Sequence, residues 1–339
     1  VTLIRPTAGV ADASGPVRRP GVGRAVAVLV LVALGALIPL LGPSAALHGT
    51  GEAAAPGVGG IALLRAVLFG ALCVPVGEFF VNRLARSLPA APGAAEGAPR
   101  SWAPYTAVAG LVAALGLASV VSTGNLVPHS LAQIDVGGLY ASRDGKLALV
   151  EVNAFLLAAV CARSRRPATQ LWPVAAVIVA EALRAHPTTE HNPLLGSGLT
   201  LVHLTCATLW AGGLLHALRT LRRRNGDTAG AALLGLYARV AAVLLALITA
   251  TGVWSSLRRM PSGTILDQLT TTAYGRTLLA KVFLVAAVAV LALWARVRLR
   301  RADDPLTACS PARAEVVVLG VVVVVSGLLT ALPVPIRWS

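Results

Sequence analysis

The chain has 339 residues, 56% of them hydrophobic, with a mean hydropathy of +0.76 and only 13% charged residues. A soluble domain carries about 25% charged residues, so water is not the solvent for most of this surface, and the stretches between apolar segments leave no room for a large soluble domain. The formal net charge of +15 sits in short flanks rather than in an aromatic-interleaved basic groove or a zinc-finger pattern, which excludes nucleic acid as the expected partner.

In chain order, a basic leader over 1–24 precedes apolar segments at 25–47, 60–82, 104–127, 146–162, 168–185, 197–218, 231–256, 273–295 and 314–332. Most reach the roughly 20 residues needed to cross about 30 Å of hydrocarbon; the fourth and fifth are shorter and carry acids. The expected fold is all-α, a polytopic transmembrane helix bundle of about nine spans. The first segment also has the pattern of a signal peptide, with Ser44-Ala45-Ala46 as small residues before a cut; cleavage there gives eight spans and leaves the orientation of the rest unchanged. The Ala/Pro/Gly-rich stretch 86–103 reads as irregular chain. The division expected is a basic segment 1–24, membrane helices with His-containing loops over 25–195, and a carboxyl-terminal membrane region over 196–339.

Placing the amino end inside puts 20 Lys/Arg residues at cytoplasmic ends, among them Arg83, Arg86, Arg163, Arg219, Arg222, Arg223, Arg224, Arg296 and Arg298, against nine elsewhere. This is the positive-inside pattern of a cytoplasmic membrane, with the carboxyl end outside.

On that topology His48, His129, His186 and His191 fall at external ends, His203 lies inside the sixth segment near the same face, and His216 lies near the cytoplasmic end. Histidine is a frequent transition-metal ligand. The run His186-Pro187-Thr188-Thr189-Glu190-His191, followed twelve residues later by His203, predicts an external metal site of His186, His191 and His203, with Glu190 and His129 contributing. On a 3.6-residue period His203, Cys206, Trp210 and Gly213 fall roughly on one face, and Gly212-Gly213 permits close helix approach.

Acids inside lipid must face protein, water or a counter-ion. Glu181 and Arg184, three apart, are expected to pair; Glu151 and Glu181 are candidate pathway or supporting residues together with Cys206 and Trp210. Glu315 reads as structural. Lys281, eight residues into the eighth segment, is expected to act structurally or as a gate rather than as a metal ligand. Of the four cysteines, Cys73, Cys161, Cys206 and Cys309, none forms a CxxC pair; the first three sit in apolar helices and read as packing residues.

Three ordered motifs carry a family resemblance: His203-Leu-Thr-Cys-Ala-Thr-Leu-Trp210-Ala-Gly212-Gly213, Thr251-Gly252, and Thr272-Ala-Tyr274-Gly275-Arg276-Thr-Leu-Leu-Ala-Lys281, with Tyr237-Ala-Arg239 between the first two and Leu332-Pro333-Val334-Pro335 at the end. Over about 197–335 the chain resembles the CopD family of bacterial copper-resistance and copper-uptake membrane proteins. The resemblance implies movement of a copper ion across the cytoplasmic membrane, often inward. It also implies association with a periplasmic copper-binding protein, or a role in assembling a copper-containing respiratory oxidase. Tyr274, Arg276, Gly212, Gly213 and Lys281 then read as structural or gating positions around the histidine route. The alternative within the same resemblance is a scaffold or assembly factor that does not itself transport. No Walker sequence or GxSxG elbow is present, so neither nucleotide-driven pumping nor hydrolysis is expected and the chain reads as a non-enzyme. A haem-carrying electron carrier lacks an opposed intramembrane histidine pair.

Overall fold

The structure is a computed structural model; it describes residues 22–53, 55–88, 99–124, 135–186, 192–224, 228–260, 263–301 and 310–334. These form helices α1 (Val22–Leu47), α2 (Val58–Arg86), α3 (Ala103–Thr123), α4 (Val136–Ala141), α5 (Arg143–Arg163), α6 (Leu171–Arg184), α7 (Pro193–Arg223), α8 (Thr228–Arg259), α9 (Ile265–Thr271), α10 (Ala273–Arg301) and α11 (Ser310–Leu329), with a 3₁₀ turn at Pro167–Gln170. The described residues contain no strand, so the expected all-α bundle is what the chain forms.

Each of the nine apolar segments corresponds to a helix, and among the described residues seven of these helices are long and apolar enough to cross a membrane. The first and fifth segments fall short. In α1 the described apolar stretch is Ala33–Leu47. Helix α6 has 14 residues, about 21 Å at 1.5 Å per residue. Pro167 opens a 3₁₀ turn ahead of it, and at about 2 Å per residue that turn adds roughly 8 Å. The tighter, longer-rise turn lets a short segment cover most of the depth of its neighbours.

Helix α2 is the hub, packing against α1, α3, α7 and α11. One apolar core joins α2, α3, α5 and α6 through Leu68, Leu72, Phe155 and Val177. The other joins α7, α8, α10 and α11 through Leu221, Leu233, Tyr237, Val288 and Leu319. The two meet where α2 crosses α7. There, a Cβ on Gly212 would sit 1.8 Å from the Cys73 carbonyl oxygen, and one on Gly77 would sit 2.1 Å from the Gly212 carbonyl carbon. No side chain fits that crossing, which is how small residues bring membrane helices into backbone contact. The outward faces carry Val112, Phe283, Val290 and Leu293, all well over half exposed, as a surface solvated by lipid chains requires.

Hydrogen bonds between helix ends sort the bundle into two ends. At one, Arg143 Nη2 donates to the carbonyls of Leu183 and His186, Arg259 Nη2 to Ala185, Arg258 Nη2 to Asn192, and Arg276 Nη1 to His48. At the other, Arg219 Nη1 reaches Glu78 at 3.2 Å, its Nη2 donates to the Arg100 carbonyl, and its guanidinium lies 3.6 Å over the Trp102 ring. These are called the His186 end and the Arg219 end.

Candidate functional site

Ten residues into α7 (about 15 Å at 1.5 Å per residue), His203 lines a cavity of about 170 Å³ enclosed by α2, α6, α7, α8, α10 and α11. Its polar lining comes from Cys73, Glu181, Thr200, His203, Thr208, Lys281, Ser326 and Thr330, and the rest is aliphatic with Phe69 and Trp210. His203 Nδ1 lies 3.0 Å from Thr251 Oγ1. The Thr251 hydroxyl proton already has acceptors in the helix, the Leu247 carbonyl at 2.7 Å and the Ile248 carbonyl at 3.1 Å. Thr251 therefore accepts from Nδ1–H, and the lone pair of the neutral ring is left on Nε2, the form in which imidazole binds a metal.

The histidines expected at a wet external surface divide sharply. His186 is only 3% exposed. It is wedged between the end of α6 and the start of α7, with Nε2 2.9 Å from Thr200 Oγ1 and its ring so close to Gly196 that a Cβ there would be 2.5 Å from Nδ1. Thr200 also lines the cavity, so the His186 ring bonds to a residue of the wall that holds His203. His129, Glu190 and His191 lie outside the described residues. Among the described residues no group of three or more His, Cys, Asp or Glu is placed to hold a metal ion. His48 is exposed and offers its carbonyl to Arg276. His216, also 3% exposed, sits at the Arg219 end with Nε2 3.3 Å from Asn82 Oδ1.

The acids depart from their expected pairing. Glu181 binds Arg65 of α2 at 2.5 Å rather than Arg184, and Arg184 instead reaches Glu151 at 2.9 Å. The i, i+3 spacing leaves the two side chains on adjacent positions of α6, but Arg65 of α2 and Glu151 of α5 take them as partners instead. Glu151 is fully buried in that pair and does not line the cavity; Glu181 does. The sequence leaves both the packing reading and the pathway reading open for Cys206. It lies in the apolar core of the carboxyl-terminal half while Cys73 of α2 takes a place in the cavity wall. Seven residues from His203 bring Trp210 to within about 20° of it, whereas three bring Cys206 about 60° off.

The remaining motif residues build the frame. Gly212 makes the α2 crossing, and a Cβ on Gly213 would meet the Tyr237 ring at 2.6 Å. Thr272 Oγ1 accepts from the Gly275 amide at 3.0 Å to start α10, and a Cβ on Gly275 would lie 2.1 Å from the Gln268 carbonyl. Buried Tyr274 accepts from Arg259 Nη1 at 3.3 Å, and Arg276 ties the Thr270 carbonyl to that of His48. Met260 is fully buried just after the end of α8. Lys281 lines the cavity and has no carboxylate partner among the described residues.

A second cavity of about 200 Å³ lies toward the Arg219 end, between α7, α8, α10 and α11. Alanines from α8 and α10 make much of its wall; Tyr237, Arg296 and Glu315 are its polar residues. Trp210 lines both spaces, is 3% exposed, and has its carbonyl held by the Tyr237 hydroxyl at 2.5 Å. The indole is thus a partition between a cavity bearing His203, Cys73 and the Arg65-paired Glu181 and one bearing Glu315.

The described helices thus enclose a buried imidazole in one cavity and a second cavity behind an indole wall. Residues 231–329, less than a third of the chain, match the family described as CopD, Copper resistance protein D. The matched stretch holds Tyr237, Thr251, Lys281, Arg296 and Glu315, while His203 and Trp210 lie just ahead of it. No curated protein and no solved structure gives a significant match. The coarse function carried by the family is copper handling at a membrane.

Proposed function

We propose that the protein carries a copper ion across the bacterial cytoplasmic membrane toward the cytoplasm, with the His186 end outside and His203 as the binding station within the bundle. The observation that carries this reading is the His203 ring, fixed by Thr251 with its Nε2 lone pair available in a cavity that Cys73 also lines. Imidazole nitrogen and cysteine sulfur suit copper better than the hard cations. His186, with Glu190, His191 and His129 of the adjoining loops, supplies the first capture, where a periplasmic copper-binding protein would deliver the ion. Thr200 links His186 to the cavity. The twenty basic residues assigned to the Arg219 side supply the orientation.

Lys281 fits a transport station better than a storage site. Conduction requires binding favourable enough for the ion to enter and weak enough for it to leave, and an ammonium in the same space weakens the hold on a cation. The test is copper uptake into sealed vesicles carrying purified protein: a correctly inserted His203→Ala variant loses uptake, and unchanged uptake removes His203 from the route. The competing reading, a non-transporting assembly factor for a copper-containing oxidase, draws on the lack of a three-ligand group among the described residues. Copurification with an oxidase subunit, together with no flux in vesicles, would establish it.

A further inference from the structure

Four glutamates are buried within the described helices: Glu78, Glu151, Glu181 and Glu315. Three of them face arginines, Glu78 with Arg219, Glu151 with Arg184 and Glu181 with Arg65. Glu315 is 4% exposed and, among the described residues, has neither an ion pair nor a hydrogen bond. It lines the second cavity instead. Arg296 lines the same space, but its Nη2 donates to the Ala238 carbonyl at 3.1 Å, so its charge is turned to the α8 backbone.

An unpaired carboxylate in an alanine-walled cavity is costly as an anion, by several kcal/mol on common estimates. It is tolerated as the neutral acid or beside a cation. The donors facing this cavity are sparse and hard: α7 brings Trp210 and Leu214 and no titratable group, α8 brings Tyr237, α10 brings Arg296, and α11 brings Glu315 itself. A carboxylate and one phenol make a poor ligand set for a copper ion, and a proton needs no more than the carboxylate. Glu315 is five residues into α11, roughly 7–8 Å from the helix start at 1.5 Å per residue, so the exchange path to water at the Arg219 end is short.

We propose that Glu315 is a proton-carrying site: a carboxylic acid that holds a proton while the cavity is empty and releases it toward the Arg219 end when a cation passes Trp210. In that step the Glu315 O–H bond breaks, the proton goes to water on the Arg219 side, and the carboxylate left behind balances the incoming positive charge. When the cation leaves, one proton returns to the same oxygen. The proton-holding state stands on the cavity alone, and the release step rests on the transport reading.

Two measurements decide it. Infrared spectra of the full chain in lipid nanodiscs, metal-free at neutral pH, show a deuterium-sensitive protonated-carboxyl band in the wild type. That band is absent in Glu315→Gln and retained, shifted, in Glu315→Asp. A wild type without the band, or a Glu315→Gln variant that keeps it, overturns the proposal whether or not the protein transports. In sealed vesicles supplied with copper(I) under ascorbate, a single turnover of the wild type gives a transient acidification on the Arg219 side that Glu315→Gln abolishes. Copper uptake with no Glu315-dependent pH change overturns the coupling. Absence of any copper flux overturns the transport reading instead, and the infrared band then judges Glu315 alone.

Discussion

Replacing Lys281 by Gln should tighten copper binding at His203. Both side chains line one cavity of about 170 Å³. Taken as a sphere, that space is roughly 7 Å across, and at an effective dielectric of about 20 two unit charges so separated repel by about 2.4 kcal/mol. At about 1.4 kcal/mol per tenfold step, removing the ammonium raises affinity by up to roughly 50-fold. The assay is competition for copper(I) against a chromophoric chelator, with the protein in nanodiscs. Lys281→Arg keeps the charge and should show no such gain. His203→Ala combined with Lys281→Gln should also show none, because the tightened site has lost its ligand. Tighter binding should slow release, so Lys281→Gln should lower the uptake rate at saturating copper. An affinity that is unchanged or weakened in Lys281→Gln refutes the idea that the ammonium and the ion share the cavity.

Thr251→Val removes the acceptor that holds His203 Nδ1–H while keeping the side chain's shape. Losing such a partner typically costs about 10–100-fold in metal affinity, so binding should weaken by about that factor and recover in Thr251→Ser, measured by the same competition. Arg184→Met leaves Glu151, fully buried, without its counter-charge. The expected loss is about 3–5 kcal/mol, read as a lower unfolding midpoint in detergent, and Arg184→Met with Glu151→Gln should regain most of it. Trp210→Ala opens the partition between the two cavities. With Cys161, Cys206 and Cys309 replaced, the Cys73 thiol should become reactive toward an impermeant reagent from the Arg219 side, and unaltered labelling would show that the indole is not the barrier.

The helices were legible because apolar length alone announces a membrane span, and the ordered motifs of the carboxyl-terminal half announced the family. What they left open is rotation about each helix axis. Cys206 and Cys73 look alike in sequence, both small residues in apolar helices, yet one packs in the core and the other lines the cavity. The Thr251-Gly252 pair was visible as a motif, but its function depends on His203, 48 residues away. Glu181 and Arg65 are 116 residues apart; no local spacing rule reaches that far, so the nearer Arg184 was the natural choice and the wrong one. Glu315 was expected to be structural, whereas Glu151 and Glu181 were the acids expected on the pathway. Only the absence of a partner among the described residues separates it from them.

On the proposed copper route, the placement of single charges also sets a direction. The three arginine–glutamate pairs lie on α2, α5, α6 and α7, and a pair presents little net field at a distance. Lys281 and Glu315 each lack an oppositely charged ion-pair partner among the described residues, and they line the two cavities that Trp210 separates. With Glu315 ionised, a cation moving from the first cavity to the second leaves a like charge and approaches an opposite one, so the step toward the Arg219 end is downhill. With Glu315 protonated, Lys281 still repels the ion in the first cavity, and the second, left with Arg296 as its charged residue, offers nothing to attract it. Inward movement is then tied to loss of the Glu315 proton by the arrangement of these two charges about the indole, with no nucleotide required.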